Sequence, residues 1–273
     1  MYYFFDLENE NGFYCLFFFL LHSYIYACKN NFILYIKDDK WKFTNKNGLD
    51  DYIIFNNNIA KYYNNNDNKK KFGYACIPDI NYSLNEYKLY SKQLYNINQN
   101  ILKNYNLPEK YNSIFLRGGD KLLYEAKQLP ISQYISFLLK LNIQTNNLFV
   151  HSDDNILVEL VEKYIIINNI NLKVFKITNQ NSNGGACVMK RLRYGNCTNI
   201  KSVDEMNSDE VKEHTELFLN AIEIMRKSDN VILSYDSNVS RFMKINFDCN
   251  VYSINHSNNL NFDVPTKNPA YGF

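Results

Sequence analysis

From Tyr111 onward, short runs rich in β-branched and aromatic residues alternate with helix-periodic runs. This alternation constrains the fold more than any other feature of the chain. SIFL (113–116), NLFVHS (147–152), LKVFKI (172–177), NVILS (230–234) and NVYSI (250–254) read as strands. Pro130 opens a helical pattern that runs through Leu141, and ILVELVEKYIII (156–167) forms another. Asn207, with Glu210 three residues on, reads as the capping pair of an amphipathic helix through Met225, closed by Arg226 and Lys227. A further helix starts near Ser237. Strands and helices in this order predict a parallel, doubly wound sheet. Residues 178–207, containing Gly184 and Gly185, read as a long loop.

The first hundred residues are less regular. ENENG reads as a loop, followed by FYCLFFFLLHSYIYA (13–27). That run is preceded by Asp6, Glu8 and Glu10 rather than by positive charge, and His22 and Ser23 interrupt it. It is also shorter than the roughly twenty apolar residues that a membrane span needs. It predicts a buried helix, and a cytoplasmic protein. FILYI (32–36) and DYIIF (51–55) read as strands flanking a turn around Trp41. The asparagine- and lysine-rich stretch 56–71 reads as a solvated loop, and residues 82–105 as a helix that stops before Pro108. Pro108 predicts the division: an N-terminal α/β lobe over 1–108 and a second α/β lobe over 109–273.

The net charge of +2 in 273 residues excludes a strong field for nucleic acid or an anionic membrane surface. Six scattered cysteines, with no CxxC pair and no grouping with the four histidines, read as free thiols rather than a metal or disulfide framework.

In open α/β sheets, ligands gather outside the carboxyl ends of the strands, where helix N-termini and loop amides converge. Three polar clusters fall at such ends. After the first C-terminal strand comes Arg117-Gly118-Gly119-Asp120-Lys121; after the second, His151-Ser152-Asp153-Asp154; after the fourth, Ser234-Tyr235-Asp236-Ser237-Asn238-Val239-Ser240-Arg241. Arg117, Arg241 and the amides of a helix capped by Ser237 suit a diphosphate, and the glycines let backbone approach it closely. Glu125 is placed to take a proton from an acceptor hydroxyl, with Lys121 and Asp120 beside it. Each cluster also has a purely structural reading. Asp153 and Asp154 suit helix capping, Asp120 and Lys121 a turn ion pair, and Arg241 a helix surface.

These residues resemble the α-1,6 type of fucosyltransferase, which includes the rhizobial chitooligosaccharide enzymes and the core fucosyltransferases of N-glycans. FLRGGDKLLYEAKQLPISQYI is similar to the family's strand, R-R-x-D-K, glutamate and P-x-x-x-Y block. LFVHSDDNILVELVEKY is similar to its T/S-D-D block, and MRKSDNVILSYDSNVSRFM to its S-x-A-D…T-F-S-S-x-V-x-R block. The resemblance extends through NGFYCLFFFLLHSYIYACKNNFILYI and KWKF, and so spans nearly the whole chain. It implies a GT-B-like fold of two Rossmann-like lobes with parallel sheets. It implies also an inverting, metal-independent transfer of fucose from GDP-fucose to a glycan hydroxyl, without a cofactor.

By the resemblance, Arg117 meets the donor diphosphate, Lys121 is the family's lysine, Glu125 the general base and Ser237 the phosphate-binding serine. Gly118, Gly119, His151, Asp153, Asp154, Tyr235, Asn238 and Arg241 complete the donor side, and Gly12, Phe13 and Tyr14 match a loop that closes over the donor. The chain departs from the family in three places. Gly118 replaces a second arginine, Tyr235-Asp236 replaces an aromatic-serine pair, and Ala221 falls where a guanine-reading aspartate is expected, flanked by Asn220 and Glu223. The anchor, stem and tail domains of animal members are absent from the sequence, which implies a catalytic core alone. Two other readings remain at this level: a catalytically inactive binding or scaffold protein on the same fold, and a fucosyltransferase of α-1,2 linkage.

Overall fold

The structure is a computed structural model that describes residues 2–7, 12–38, 41–43, 48–56, 58–61, 82–118, 129–178, 205–234 and 237–254. They fall into two compact units, the first ending at Asn100 and the second beginning at Ile101.

The first unit has three parallel strands, β1 (Tyr2–Asp6), β2 (Ile33–Lys37) and β3 (Ile59–Lys61), in the order β1-β2-β3. Helix α1 (Phe13–Lys29) joins β1 to β2 and is buried almost all round, as its unbroken apolar run requires. Two of its polar side chains find partners: His22 Nδ1 lies 3.2 Å from Tyr87 Oη, and Asn56 Nδ2 donates to Tyr24 Oη at 2.7 Å. Helix α2 (Leu84–Leu94) packs on α1 and starts with a capping box between Ser83 and Glu86.

Three local expectations are corrected here. DYIIF is not a strand; Gly48–Asp51 forms a 3₁₀ turn, and Ile53 makes only an isolated antiparallel bridge with Ile97. A buried carboxylate explains the turn: Asp38 accepts from the Leu49 amide at 2.6 Å, and Gly48, at φ +66°, sits against that carboxylate where a Cβ would collide. The helix expected through residue 105 ends at Leu94, because Ile54 N–H donates to Asn96 O and Asn98 N–H to Tyr52 O. Strands β1 and β3 were not anticipated; β3 lies within the stretch read as solvated loop.

The second unit is built as the alternation predicts. Strands β4 (Asn112–Leu116), β5 (Asn147–Ser152), β6 (Lys173–Phe175), β7 (Asn230–Leu233) and β8 (Asn250–Ser253) form one wholly parallel sheet in the order β6-β5-β4-β7-β8. Helices α3 (Ile131–Lys140), α4 (Asn155–Ile167), α5 (Ser208–Arg226) and α6 (Asn238–Asn246) connect them. Ile114, Leu116, Leu148, Val150 and Ile232 face α3 and α4 in one core. The alternate residues Phe115 and Phe149 stack on His151, which in turn stacks with Phe218 of α5. Strand order reverses at β4: the chain winds outward to β6, then returns to β7 on the other side.

Among the described residues no helix is long and apolar enough to cross a membrane.

Candidate active site

The reversal puts the crevice of the sheet between the carboxyl ends of β4 and β7, with β5 on the far side of β4. Leu116 is paired with Ser152 of β5, and Phe115 with Leu233 of β7. Continuing the register by one residue sets Ser234 beside Leu116, at the strand spacing of about 4.8 Å. The sequences that follow these ends are Arg117-Gly118, Asp153-Asp154 and the run into Ser237. The topology therefore brings the described residues at these ends, Arg117-Gly118, Asp153-Asp154 and Ser234, to adjacent positions on one rim.

The first two clusters interlock. Arg117 Nη1 pairs with Asp153 Oδ2, and the Gly118 amide donates to Asp153 Oδ1 at 2.5 Å. Asp154 caps α4, accepting from the Ile156 amide at 3.0 Å, and its own amide donates to Ser152 Oγ at 3.0 Å. The two structural readings of this pair thus separate. Asp154 is a helix cap, while Asp153 holds the end of a neighbouring strand.

Gly118 is explained by the same contacts. A Cβ there would lie 2.8 Å from Asp154 Cβ and 3.0 Å from Leu157 Cδ1, so the turn after β5 occupies the space of a side chain. The close approach that sequence reasoning reserved for a phosphate is made instead by Asp153, Asp154 and Leu157. No sequence signal links Gly118 to Leu157.

The third cluster is organised around the start of α6. Ser237 Oγ accepts from the Ser240 amide at 3.1 Å, and Ser240 Oγ donates to Ser234 O at 2.6 Å. Arg241 Nη1 donates to Asn238 Oδ1 at 2.9 Å, which steers the guanidinium back along the first turn of the helix. Ser240, fully buried, is the residue that sequence reasoning undervalued. Its position three residues after the capping serine was the available signal.

Other candidates lie elsewhere. His151 is fully buried within the aromatic layer, its ring nearly parallel to that of Phe149 at an interplanar angle of 4°. Gly12 is the N-cap of α1, and Phe13 and Tyr14 are its first residues, in the other unit. Phe13 packs against Trp41 and Phe43, and Tyr14 Oη lies 3.3 Å from Tyr95 Oη. Gly119, Asp120, Lys121, Glu125 and Tyr235 lie outside the described residues, as does Asp236.

Around Ala221, fully buried in α5, neither flanking candidate for a base-reading group is idle. Asn220 accepts from the Lys103 amide at 2.7 Å and donates to Ile101 O at 2.9 Å and Glu216 O at 2.8 Å. That uses both its N–H groups. Glu223 lies 3.5 Å from Arg226 one turn on. Among the described residues no group of three or more His, Cys, Asp or Glu could hold a metal ion.

No family model and no curated protein sequence matches the chain. Solved structures do. A structure of NodZ α-1,6-fucosyltransferase co-crystallised with GDP has a TM-score of 0.56 at 11% identity, covering 89% of this chain and 92% of that one. The same enzyme soaked with GDP-fucose has a TM-score of 0.54 at 10% identity, covering 90% and 93%. The fucosyltransferase NodZ from Bradyrhizobium has 0.53 at 8%, covering 89% and 93%. The chain thus has the parallel α/β, GT-B-like fold of the NodZ α-1,6-fucosyltransferases.

Proposed function

We propose that the protein is an inverting, metal-independent glycosyltransferase that transfers fucose from GDP-fucose to a glycan hydroxyl. The observation that carries this reading is the convergence of Arg117, held by Asp153, and the Ser237-capped start of α6 on adjacent strand ends at the reversal of the sheet. A diphosphate placed there meets a guanidinium and the first amides of a helix, both suited to its charge. Two of the NodZ structures that share the fold were co-crystallised with GDP or soaked with GDP-fucose, which supports the same donor here.

In this reading the chain's own residues divide the work. Arg117 and the α6 amides hold the diphosphate as its negative charge grows in the transition state. Arg241, turned along the same helix by Asn238, adds a second cation. Glu125 takes the proton of the acceptor hydroxyl as that oxygen bonds to the anomeric carbon. The sugar–phosphate bond breaks on the opposite face, and its electron pair leaves with the diphosphate. Lys121 balances charge beside it.

Purified protein given GDP-fucose and a glycan acceptor is expected to release GDP, and Glu125→Gln to lower the rate by about 10²–10⁴-fold while leaving GDP binding intact. Full activity in that variant would remove Glu125 from the mechanism.

One observation favours a second reading, a binding protein without catalysis. The flanks of Ala221 carry an asparagine committed to the 101–103 backbone and a glutamate beside an arginine, so guanine recognition lacks an idle carboxylate among the described residues of that turn. Calorimetric titration with GDP separates the two. A folded protein that binds no GDP at millimolar concentration favours the second reading.

A further inference from the structure

The carboxylate of Asp153 is turned entirely toward the end of β4. Its Oδ2 takes the Arg117 guanidinium; its Oδ1 takes the Gly118 amide at 2.5 Å and lies 3.5 Å from Ser152 Oγ. Both partners are largely buried, with 17% of the Arg117 side chain and 10% of the Asp153 side chain exposed. Behind it the turn is capped and closely packed: Asp154 caps α4, and the missing Cβ of Gly118 lets the turn seat against β4. An anionic donor gains nothing by touching Asp153 directly, because like charges repel. A carboxylate on the diphosphate side of a cradle is useful only through what it holds.

We infer that Asp153 is a positioning residue: it fixes the Arg117 guanidinium and the first amide of the following loop, so that the cradle is set before the nucleoside diphosphate arrives. This rests on the donor-binding reading above and adds a role to it. The pair contributes no net charge. Arg117 therefore acts as an oriented fork of N–H donors rather than as a bare cation, and its remaining N–H groups are directed by the one Asp153 engages. The binding entropy otherwise spent on ordering a long, flexible side chain is spent during folding instead.

The test is a double-mutant cycle with GDP as the probe. Asp153→Asn keeps an oxygen for the Gly118 amide and loses the ion pair. It is expected to weaken GDP binding on the order of tenfold to a hundredfold, the scale on which misplacement of a clamping group is felt. Arg117→Gln is expected to lose as much, and the double variant no more than Arg117→Gln alone. With GDP-fucose, Asp153→Asn should lower kcat/KM by at least the factor lost in GDP affinity, because Arg117 also meets the charge that grows in the transition state.

Wild-type affinity in Asp153→Asn, or losses that multiply in the double variant, would overturn the inference. If Asp153→Asn does not fold, Asp153→Glu keeps the buried charge and shifts Arg117 by one methylene, and unchanged GDP affinity there would overturn it equally. If the wild-type protein binds no GDP, the donor reading fails by itself. The Arg117 Nε–H signal in nitrogen-15 NMR then decides whether Asp153 holds the side chain: protected in the wild type and averaged in the variant if it does, unchanged if it does not.

Discussion

Asp153 meets the adjacent Arg117 and Gly118 from 36 and 35 positions along the chain, and each makes sense only through the others. Arginine at a strand end is common, and a glycine after it reads as an ordinary turn. With Asp153 and Asp154 in place, the glycine becomes a packing requirement. Gly118→Ala would press a methyl group to 2.8 Å from Asp154 Cβ. It is expected to cost about 1–3 kcal/mol, as overpacking does, and to be read as a lower midpoint in urea at unchanged slope. A midpoint equal to wild type would show that the β5–α4 turn yields easily, and the preset character of the cradle would fall with it.

At the scale of elements, helix starts carry both stability and candidate chemistry. The Ser237 hydroxyl satisfies the Ser240 amide at a buried position. Ser237→Ala is therefore expected to cost about 1 kcal/mol in thermal or urea denaturation. In the first unit, Glu86 at the start of α2 ties back to Lys29 at the end of α1. The Lys29 hydrogen bond first, then the Ser83 amide and hydroxyl, hold the Glu86 carboxyl down at about 2, from an ordinary 4.5. A depressed folded-state pKa stabilises above the unfolded value, so this contribution is fully present above pH 4.5 and fades as pH falls toward 2. The pair is half in solvent, and its contribution is correspondingly modest. Melting curves of wild type and Glu86→Gln should converge across that window. A constant offset down to pH 2 would mean that the carboxylate charge contributes nothing.

At the scale of the whole molecule, each of the two units is compact by itself. In the second, β4 is the centre of the sheet, with β5 and β7 bonded on either side and β6 and β8 beyond them. Ile114, Leu148, Val150 and Ile232 are fully buried there, whereas Lys173 opens β6 exposed. Amide exchange is expected to be slowest in β4, β5 and β7 and faster in β6 and β8. Uniform protection across all five strands would contradict a sheet whose stability is concentrated at the reversal, where the candidate site is anchored.

The strand-helix alternation after Tyr111 was sufficient in the sequence to specify the parallel sheet of the second unit. So was the N-cap at Ser237, and so was the buried helix from Phe13, because each depends on local periodicity or on neighbours within one turn. The first unit was less legible. DYIIF has strand composition, yet Asp38 and Gly48 impose a turn just before it, and the antiparallel bridge to Ile97 ends α2 early. These are long-range backbone hydrogen bonds that override local propensity. The site divides the same way. The residue types at the strand ends could be read along the chain, and their common rim follows from the doubly wound pattern. That Asp153 grips Arg117 while Asp154 caps a helix, that Asn220 is spent on the backbone of 101–103, and that His151 belongs to an aromatic layer were decided only in three dimensions. Adjacent carboxylates are chemically identical in sequence; which strand each one faces is set by the pleat and by the packing of its neighbours.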